Sequence, residues 1–350
     1  MKILYGVQTT GNGHITRARV MAPALAQEGI EVDFLFSGRP PEKLFNMEPF
    51  GDYQTRRGLT FTVTDGKIDR WRSLTQNNLI QLIKDIKALD LQQYDLIISD
   101  FEPVTAWAAK LQKKPCIGIA HQYAFSYPLP GPSIGRVMMP MIRFFAPVQQ
   151  GIGLHWHHFD GPILPPLIEA QPYPITVQSG MILVYLPFEN REQIRQWLLP
   201  FSDYEFHVYC DIDQPEDDEH ILWRPLSRDA FRQAQACCDG VIANCGFGLA
   251  SEVLQAGKKL LTKPLTGQPE QVSNAAVLEY LGLAEVFSEL GADQFYRWAG
   301  QRAPEPVAYP DVAAALARWI HEGCDQSAEE LARKLWQGAL TDQVAEPVIS

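Results

Sequence analysis

Short apolar runs of strand length alternate with helical patterns through both halves of the chain. In the first half, the strand-length runs are Lys2–Val7, Val32–Phe36, Leu96–Ser99 and Cys116–Ala120. Segments with helical spacing separate them at Thr16–Gln27, Leu79–Leu89 and Val104–Leu111. Parallel strands need long crossover connections, which helices usually supply, so this alternation predicts a parallel sheet with helices on both faces. Phe61–Trp71 is a candidate for a further strand and loop.

The second half repeats this pattern after an irregular segment. Between Tyr127 and Pro174, proline and glycine recur so often that regular structure is expected to be interrupted. Strand-length runs return at Met181–Leu186, Glu205–Tyr209, Gly240–Ala243 and Lys259–Thr262. Helical patterns lie at Glu192–Leu199, Asp229–Ala236, Leu249–Ala256, Val272–Tyr280, Asp311–His321 and Ala328–Gln337. Because 350 residues are too many for one ordinary core, we expect an α/β fold of two Rossmann-like domains facing across a cleft.

The breaks in the pattern predict the domain boundaries. Residues 1–170 are expected to form the N-terminal domain and residues 171–325 the C-terminal domain, with a linker near Glu169 to Ile175. Residues 326–350 are expected to form a helix and tail that pack back on the N-terminal domain.

Charge and composition exclude some classes of partner. The formal net charge is -11, which argues against nucleic-acid binding because phosphate recognition needs clustered Lys and Arg. No apolar run approaches the ~20 residues of a membrane span, and no signal-peptide pattern is visible. The six cysteines form no CxxC pair, which is typical of reduced, buried thiols. We therefore expect a cytoplasmic protein.

A glycine-containing loop follows the first predicted strand. Its sequence, TTGNGHITRA, fits GxG at Gly11 and Gly13 but has Thr16 where a dinucleotide loop has its third glycine, so NAD binding stays a weak alternative. The glycines instead allow a tight turn that points His14 into a cleft. There His14 is a candidate general base, because its ordinary pKa lies near neutrality. Alternatively, its ring bonds the loop backbone at the start of the helix.

A base histidine needs a carboxylate that fixes its tautomer. Asp100 stands at the end of the predicted strand Leu96–Ser99, on the edge where ligands bind in open α/β sheets. His14 and Asp100 are therefore expected on the same rim. Glu102 is the competing carboxylate, and Asp100 has the alternative role of capping the helix that starts near Val104.

A second glycine loop, NCGFG, follows the strand Gly240–Ala243. Gly246 and Gly248 allow backbone N–H groups to face an anion at the start of the next helix. Glu252, one turn into that helix, is a candidate to accept hydrogen bonds from ribose hydroxyls, or alternatively a partner of the helix dipole.

The loop GQPEQ precedes a later helix. Its amides and carboxylate, on Gln268, Glu270 and Gln271, suit a ligand dense in hydroxyls, such as a hexose.

Together the two loops resemble those of GT-B glycosyltransferases. GNGH after the first strand, then SD and WAAKLQKKPCIGI, is similar to the acceptor domain of plant natural-product glycosyltransferases and of the peptidoglycan GlcNAc transferase. The overall pattern is closer to a bacterial and archaeal group distantly similar to the peptidoglycan enzyme. The resemblance implies that His14 is the base and Asp100 its orienting partner. It also implies acceptor contacts at Gly13, Glu102, His121 and Gln122.

The C-terminal half resembles the donor signature of the plant enzymes, W-x-P-Q, H-C-G-W-N-S-x-x-E and D-Q. Trp223-Arg-Pro-Leu corresponds to the first block, and Trp223 is the candidate to stack on the nucleotide base. The implied donor-binding residues are Trp223, Asn244, Gly246, Phe247, Gly248, Ser251, Glu252, Gln268, Glu270 and Gln271.

Several positions of this signature differ from the family pattern. Asn244 replaces the phosphate-binding His, Gly248 replaces Asn, and Leu249 replaces Ser. Backbone amides and Ser251 are then the groups expected to donate hydrogen bonds to the phosphates. Leu226 stands where the Gln follows W-x-P, so the resemblance implies a UDP-sugar while the base stays open.

The expected activity is transfer of a sugar, of the hexosyl class, from a nucleotide diphosphate to an acceptor hydroxyl. Inversion at the anomeric carbon follows from the resemblance and the His–Asp pair. The helix dipole and loop amides would stabilise the leaving diphosphate, so no metal and no cofactor are expected. Two alternatives stay open: a non-hydrolysing nucleotide-sugar epimerase, for which Arg17 and Arg19 are the nearby basic residues, and a catalytically silent nucleotide-sugar-binding scaffold.

Three further patterns carry weaker signals. Asp211 and Asp213 match a DxD metal motif but precede a solvated acidic stretch, and His155–Asp160 has poor spacing for a chelate. Gly135–Pro147 is an apolar, arginine-containing segment that either packs internally or touches the inner membrane face to recruit a lipid-linked or glycan acceptor. The oligomeric state is left open.

Overall fold

The computed structural model describes residues 1–60, 63–64, 67–68, 77–132 and 135–339. The N-terminal strands are β1 Lys2–Gln8, β2 Glu31–Ser37, β3 Gln54–Arg56, β4 Val63–Thr64, β5 Lys67–Ile68, β6 Leu96–Asp100, β7 Cys116–Ala120, β8 Gln150–Leu154 and β9 Ile163–Leu164. The N-terminal helices are α1 Asn12–Gln27, α2 Leu79–Ala88, α3 Pro103–Gln112 and α4 Gly135–Phe145. Short 3-10 helices lie at Pro41–Lys43, Glu48–Phe50 and His121–Ser126.

The C-terminal half has its own set of strands and helices. The strands are β10 Met181–Tyr185, β11 Glu205–Cys210, β12 Glu216–Asp218, β13 Ile221–Pro225, β14 Gly240–Asn244, β15 Lys259–Lys263 and β16 Glu285–Val286. The helices are α5 Arg191–Leu198, α6 Arg228–Cys237, α7 Phe247–Gln255, α8 Pro269–Tyr280, α9 Ala292–Ala299, α10 Val312–His321 and α11 Ala328–Ala339.

These strands form two separate seven-stranded sheets. The N-terminal sheet has the order β3-β2-β1-β6-β7-β8-β9, and its neighbouring strands are parallel. The C-terminal sheet has the order β12-β13-β11-β10-β14-β15-β16, with β12 antiparallel to β13 and the other pairs parallel. The predicted α/β fold of two Rossmann-like units is confirmed. We call the units built on these two sheets the N-terminal and C-terminal domains.

The predicted irregularity between Tyr127 and Pro174 is wrong in part. This segment contains α4, β8 and β9, and β8 adds a parallel strand to the first sheet. Its glycines are needed for packing, because a Cβ at Gly151 would stand 2.7 Å from the Tyr123 ring and one at Gly153 would stand 2.6 Å from Ala124 N. Gly151 and Gly153, which indicate a loop in the sequence, therefore leave space for the neighbouring 3-10 helix His121–Ser126. Of Phe61–Trp71, β4 and β5 are described and pair as a two-stranded hairpin, while the rest lies outside the described residues.

The last two helices lie against the N-terminal domain. Helix α10 packs along α1. Arg318 Nε on α10 lies 3.8 Å from Oε1 of Glu28, the residue that follows α1. On α11, Trp336 Nε1 donates a 2.6 Å hydrogen bond to the carbonyl oxygen of Ile163 in β9. The proposed boundaries at residues 170 and 325 stay predictions. None of the described helices is long and apolar enough to cross a bilayer.

Candidate active site

The two glycine loops meet where the domains face each other. Helix α1 begins at Asn12 directly after Gly11, and α7 begins at Phe247 directly after Gly246. A Cβ built on Gly248 would stand 3.8 Å from the Cα of Gly13, so the first turns of the two helices nearly touch. Both helices start earlier than the sequence pattern predicts. His14 therefore lies in the first turn of α1 rather than in a loop.

His14 and Asp100 form the expected pair at the ends of β1 and β6. Their Nδ1 and Oδ1 atoms lie 2.7 Å apart, although 86 residues separate them in sequence. Asp100 is fully buried, whereas the His14 side chain keeps 13% of its surface exposed. A neutral ring that donates Nδ1–H to Asp100 leaves Nε2 free to accept a proton, which is the arrangement a general base needs.

Arg17 is a third member of this group that the sequence interpretation missed. It donates from Nε to Asp100 Oδ2 at 2.9 Å and from Nη2 to Oδ1 at 2.6 Å. Burial alone would raise the pKa of Asp100, but the charges of Arg17 and His14 hold that pKa below its ordinary value. The carboxylate is thus ionised and fixed from two sides. Arg17 Nη2 also lies 2.6 Å from His14 Nδ1, and the spacing of three residues along a helix was the sequence signal for that contact, not for the one with Asp100.

Glu102 caps helix α3, the role considered above for Asp100. It is fully buried and accepts hydrogen bonds from Val104 N at 2.8 Å, Thr105 N at 2.7 Å, and the hydroxyls of Ser37 and Thr105 at 2.6 Å. Burial raises its pKa while these donors lower it. The expectation that Glu102 contacts the acceptor is corrected, because both of its oxygens are used inside the fold.

His121 and Gln122 contact the opposite domain. His121 is buried, with Nδ1 2.8 Å from Leu154 O and Nε2 2.8 Å from Asn274 Oδ1, and its ring stacks on Phe247 at 4.1 Å. Gln122 Nε2 donates to Glu270 Oε2 at 3.0 Å. These expected acceptor residues therefore hold the two domains together at the floor of the cleft. Burial lowers the pKa of His121, against the opposing effect of Glu270.

Asn244 ends β14 beside a buried ion pair. Its Nδ2 donates to Lys263 O at 3.1 Å and contacts Glu189 Oε1 at 3.4 Å, and Lys263 Nζ lies 2.9 Å from the same Glu189 oxygen. The Asn244 Oδ1 atom is buried without a hydrogen-bond partner among the described residues. Neither the Asn244 Nδ2 group nor the Lys263 ammonium is free in this arrangement, whereas the N-terminal amides of α7 have no side-chain cap.

The Ser251 hydroxyl is not available to donate a hydrogen bond to phosphate. Its hydroxyl donates to Phe247 O at 2.7 Å and accepts from Trp156 Nε1 at 2.8 Å. Since a serine has only one O–H to donate, the expectation that Ser251 binds phosphate is corrected. Phe247, also expected to contact the donor, is buried between His121 and Trp156.

Glu252 lies one turn into α7 in a polar, largely buried environment. Burial raises its pKa to about 7, with Arg232 and Gln235 opposing that shift, and Gln235 Nε2 donates to it at 3.3 Å. A carboxyl group poised near neutrality, with one oxygen not bonded to Gln235, suits a contact with ligand hydroxyls.

The polar residues of the GQPEQ loop make different contacts at the start of α8. Gln268 caps the helix by accepting from Gln271 N, and Gln271 Oε1 accepts from Leu265 N at 2.9 Å. Glu270 is half-buried and faces Gln122 across the cleft. Of the three, Glu270 is the side chain that reaches the space between the domains.

Trp223 lies in the middle of β13. It is 1% exposed within the second hydrophobic core, and the guanidinium of Arg191 lies 4.4 Å from the centre of its ring. The expectation that Trp223 stacks on the base is corrected, because the ring has no face open to a ligand. Within the described residues, no group of three or more His, Cys, Asp or Glu side chains is arranged to hold a metal ion.

Comparison with known proteins identifies the family. The model of glycosyl transferase family 1 matches residues 1–132 and 157–297 of the chain. The chain belongs to this family. It is a glycosyltransferase, and the matched ranges include both glycine loops, His14, Asp100 and Glu252. No curated protein sequence matches the chain.

Solved structures with the same architecture are GT-B glycosyltransferases. SnogD from Streptomyces nogalater has a TM-score of 0.55 at 16% identity, covering 97% of this chain and 99% of its own. The spinosyn forosaminyltransferase SpnP has a TM-score of 0.59 at 13% identity, covering 97% and 100%. The glycosyltransferase VinC in complex with DTDP has a TM-score of 0.51 at 14% identity, covering 97% and 99%. At these identities the likeness shows the fold, so the predicted GT-B architecture is confirmed.

Proposed function

We propose that this family 1 enzyme transfers a sugar from a nucleoside diphosphate donor to an acceptor hydroxyl, with inversion and without a metal ion. The observation that carries the proposal is the His14–Asp100 contact of 2.7 Å at the first turn of α1, directly opposite the first turn of α7. It brings a base and an anion-binding helix end to one point of the cleft.

In this mechanism the donor lies on the C-terminal domain. Amides at the first turn of α7 bind the diphosphate, and Glu252 accepts hydrogen bonds from ribose hydroxyls. Glu270, on the cleft side of α8, binds sugar hydroxyls after Gln122 releases it. The complex of VinC with DTDP supports a nucleoside diphosphate ligand for this fold.

The chemical step is a single displacement. His14 Nε2 takes the proton of the acceptor hydroxyl while its oxygen forms a bond to the anomeric carbon, and the bond from that carbon to the diphosphate oxygen breaks. Asp100 stabilises the imidazolium that forms. Attack from the face opposite the leaving group inverts the anomeric carbon. The helix end stabilises the departing charge, which is the role that a metal ion would otherwise fill.

The acceptor comes to the N-terminal domain, and we propose that a membrane surface lies near it. Leu79, Ile80 and Ile83 on α2 and Phe144 on α4 are exposed apolar side chains. Helices α2, α3 and α4 contain one acidic residue, Asp85, which is buried, whereas Lys84, Lys87, Lys110 and Arg143 are exposed. Apolar and basic groups together suit an anionic lipid surface and a lipid-linked acceptor.

Co-sedimentation with vesicles tests the membrane contact. The protein should pellet with vesicles containing anionic lipid, less so in high salt, and the double variant I80S/I83S should stay in solution. A matched change on the C-terminal domain, Tyr296→Ser, should not alter binding. Equal binding of all three proteins would contradict the membrane proposal and leave the transfer proposal intact.

The transfer itself is tested with a panel of nucleotide sugars. Release of nucleoside diphosphate in the presence of hydroxyl acceptors should occur with one donor, and NMR should show an inverted anomeric centre in the product. His14→Ala should still bind that donor but should not turn it over. Turnover that is unchanged in His14→Ala would contradict the assignment of the base. Donor binding by the wild-type protein without any turnover would favour a scaffold.

A further inference from the structure

The guanidinium of Arg17 has one nitrogen that the catalytic pair does not use. Arg17 is 5% exposed, and its Nε and Nη2 donate to Asp100. Among the described residues, Nη1 has no hydrogen-bond acceptor. It lies 3.9 Å from the point where a Cβ of Gly13 would stand, so the missing side chain of Gly13 leaves space beside it.

That space adjoins the first turn of α7. Gly13 is the residue that Gly248 approaches most closely, with 3.8 Å between the Cβ position of Gly248 and the Gly13 Cα. Burial would lower the pKa of Arg17, but Asp100 and, across the cleft, Glu270 contribute to raising it. A buried, permanently charged cation therefore places Nη1 beside Gly13, the residue that the first turn of α7 approaches.

The C-terminal domain offers few side chains to a diphosphate at that place. Leu249 is apolar and Gly248 has no side chain, while the Ser251 hydroxyl and the Asn244 Nδ2 group are bonded within the fold. The ammonium of Lys263 is paired with Glu189. Of the described C-terminal groups at this place, the amides of α7 are left to face a ligand that carries two or more negative charges.

We propose that Arg17 is the cation that binds the diphosphate, holding Asp100 with one edge of its guanidinium and a phosphate oxygen with Nη1. A guanidinium has five N–H donors in a planar fork and can bridge two anions in this way. As His14 becomes an imidazolium in the transfer step, its positive charge neutralises part of the negative charge of Asp100. The positive charge of Arg17 is then available to the leaving diphosphate when its charge increases. This inference rests on the proposed function.

The test compares the affinities of a nucleoside diphosphate and its parent nucleoside by calorimetry. Removing Arg17 alone would leave Asp100 buried without its partner, so the comparison is made between D100N and the double variant R17Q/D100N. The preference for the diphosphate over the nucleoside should fall about tenfold or more in the double variant, while nucleoside affinity stays within about twofold. Arg17→Lys, which keeps the charge but loses the fork, should keep only part of the preference.

The control is Arg19, two residues along α1, whose guanidinium donates to Phe45 O and Asn46 O. Arg19→Gln should keep the full preference for the diphosphate. An unchanged preference in R17Q/D100N relative to D100N would overturn the role of Arg17 while the proposed function stands. A wild-type protein that binds no nucleoside diphosphate would overturn the proposed function, and this inference with it.

Discussion

Trp156 Nε1 donates a 2.8 Å hydrogen bond to the hydroxyl of Ser251, which joins the two domains within their common core. Trp156 is fully buried and Ser251 is 1% exposed, and the serine hydroxyl donates in turn to Phe247 O at the start of α7. The position that resembles a ligand contact in sequence is thus a structural contact between the domains.

Ser251→Ala should therefore lower stability and leave donor affinity unchanged. The substitution leaves the buried Trp156 N–H without an acceptor, which should cost about 1–3 kcal/mol and lower the thermal unfolding midpoint. Nucleotide affinity should change less than about twofold. Calorimetry on both properties checks this, and a large loss of affinity with unchanged stability would return Ser251 to the phosphate site.

Asp100→Asn tests the orienting role of the carboxylate. The asparagine keeps the size of the side chain but loses the charge that stabilises an imidazolium, so kcat should fall by about 10²-fold or more with donor Kd nearly unchanged. Steady-state kinetics with the identified donor gives the first quantity and calorimetry the second. A fall in affinity with unchanged kcat would mean that Asp100 serves binding and not proton transfer.

Glu252→Gln should stabilise the protein at high pH. The folded pKa of Glu252 is about 7 against an ordinary value of 4.5, so the folded state binds more protons than the unfolded state between these limits. Stability from this group therefore falls as pH rises from 4.5 to 7. The glutamine side chain of the variant does not titrate, and the advantage of the variant should grow through that window to about 1–3 kcal/mol. The measurement is the thermal unfolding midpoint at pH 5 and pH 8. A change between these two pH values that is equal for the wild type and Glu252→Gln would contradict this.

Gly6→Ala should disrupt the buried cap of α3 and lower stability. A Cβ at Gly6 in β1 would stand 2.1 Å from Thr105 Oγ1 and 2.8 Å from Glu102 Oε2, at the buried cap of α3. Overpacking at this contact should lower the free energy of unfolding by about 1–3 kcal/mol or more. The control is Gly11→Ala, where no atom lies within 4 Å of the added Cβ and the backbone is extended, so its thermal midpoint should be nearly that of wild type.

The sequence predicted the parts of the fold that follow local periodicity. The buried runs of β1, β6, β10 and β14 read as strands because both faces of a parallel sheet are covered. It missed β8, because Gly151 and Gly153 look like loop signals until the packing of Tyr123 and Ala124 against them is known. Local pattern cannot report a close approach that depends on another segment.

The site was predicted unevenly for the same reason. His14 and Asp100 were placed together because the carboxyl ends of parallel strands meet at one edge of a sheet. The direction of a side chain at a given position was not predictable, so Trp223 was assigned to the ligand although it packs in the core. Arg17 was overlooked because its partner Asp100 is 83 residues away, and only the folded chain brings them together.

Thermal stabilisation by a panel of nucleoside diphosphates and nucleotide sugars, on wild type and Glu252→Ala, tests the central claim most directly. A ligand that binds the native state raises the unfolding midpoint by mass action. The account predicts a clear rise with one nucleotide base, lost or strongly reduced in Glu252→Ala. No rise with any member of the panel, or an equal rise in both proteins, would contradict a donor site on the C-terminal domain at α7.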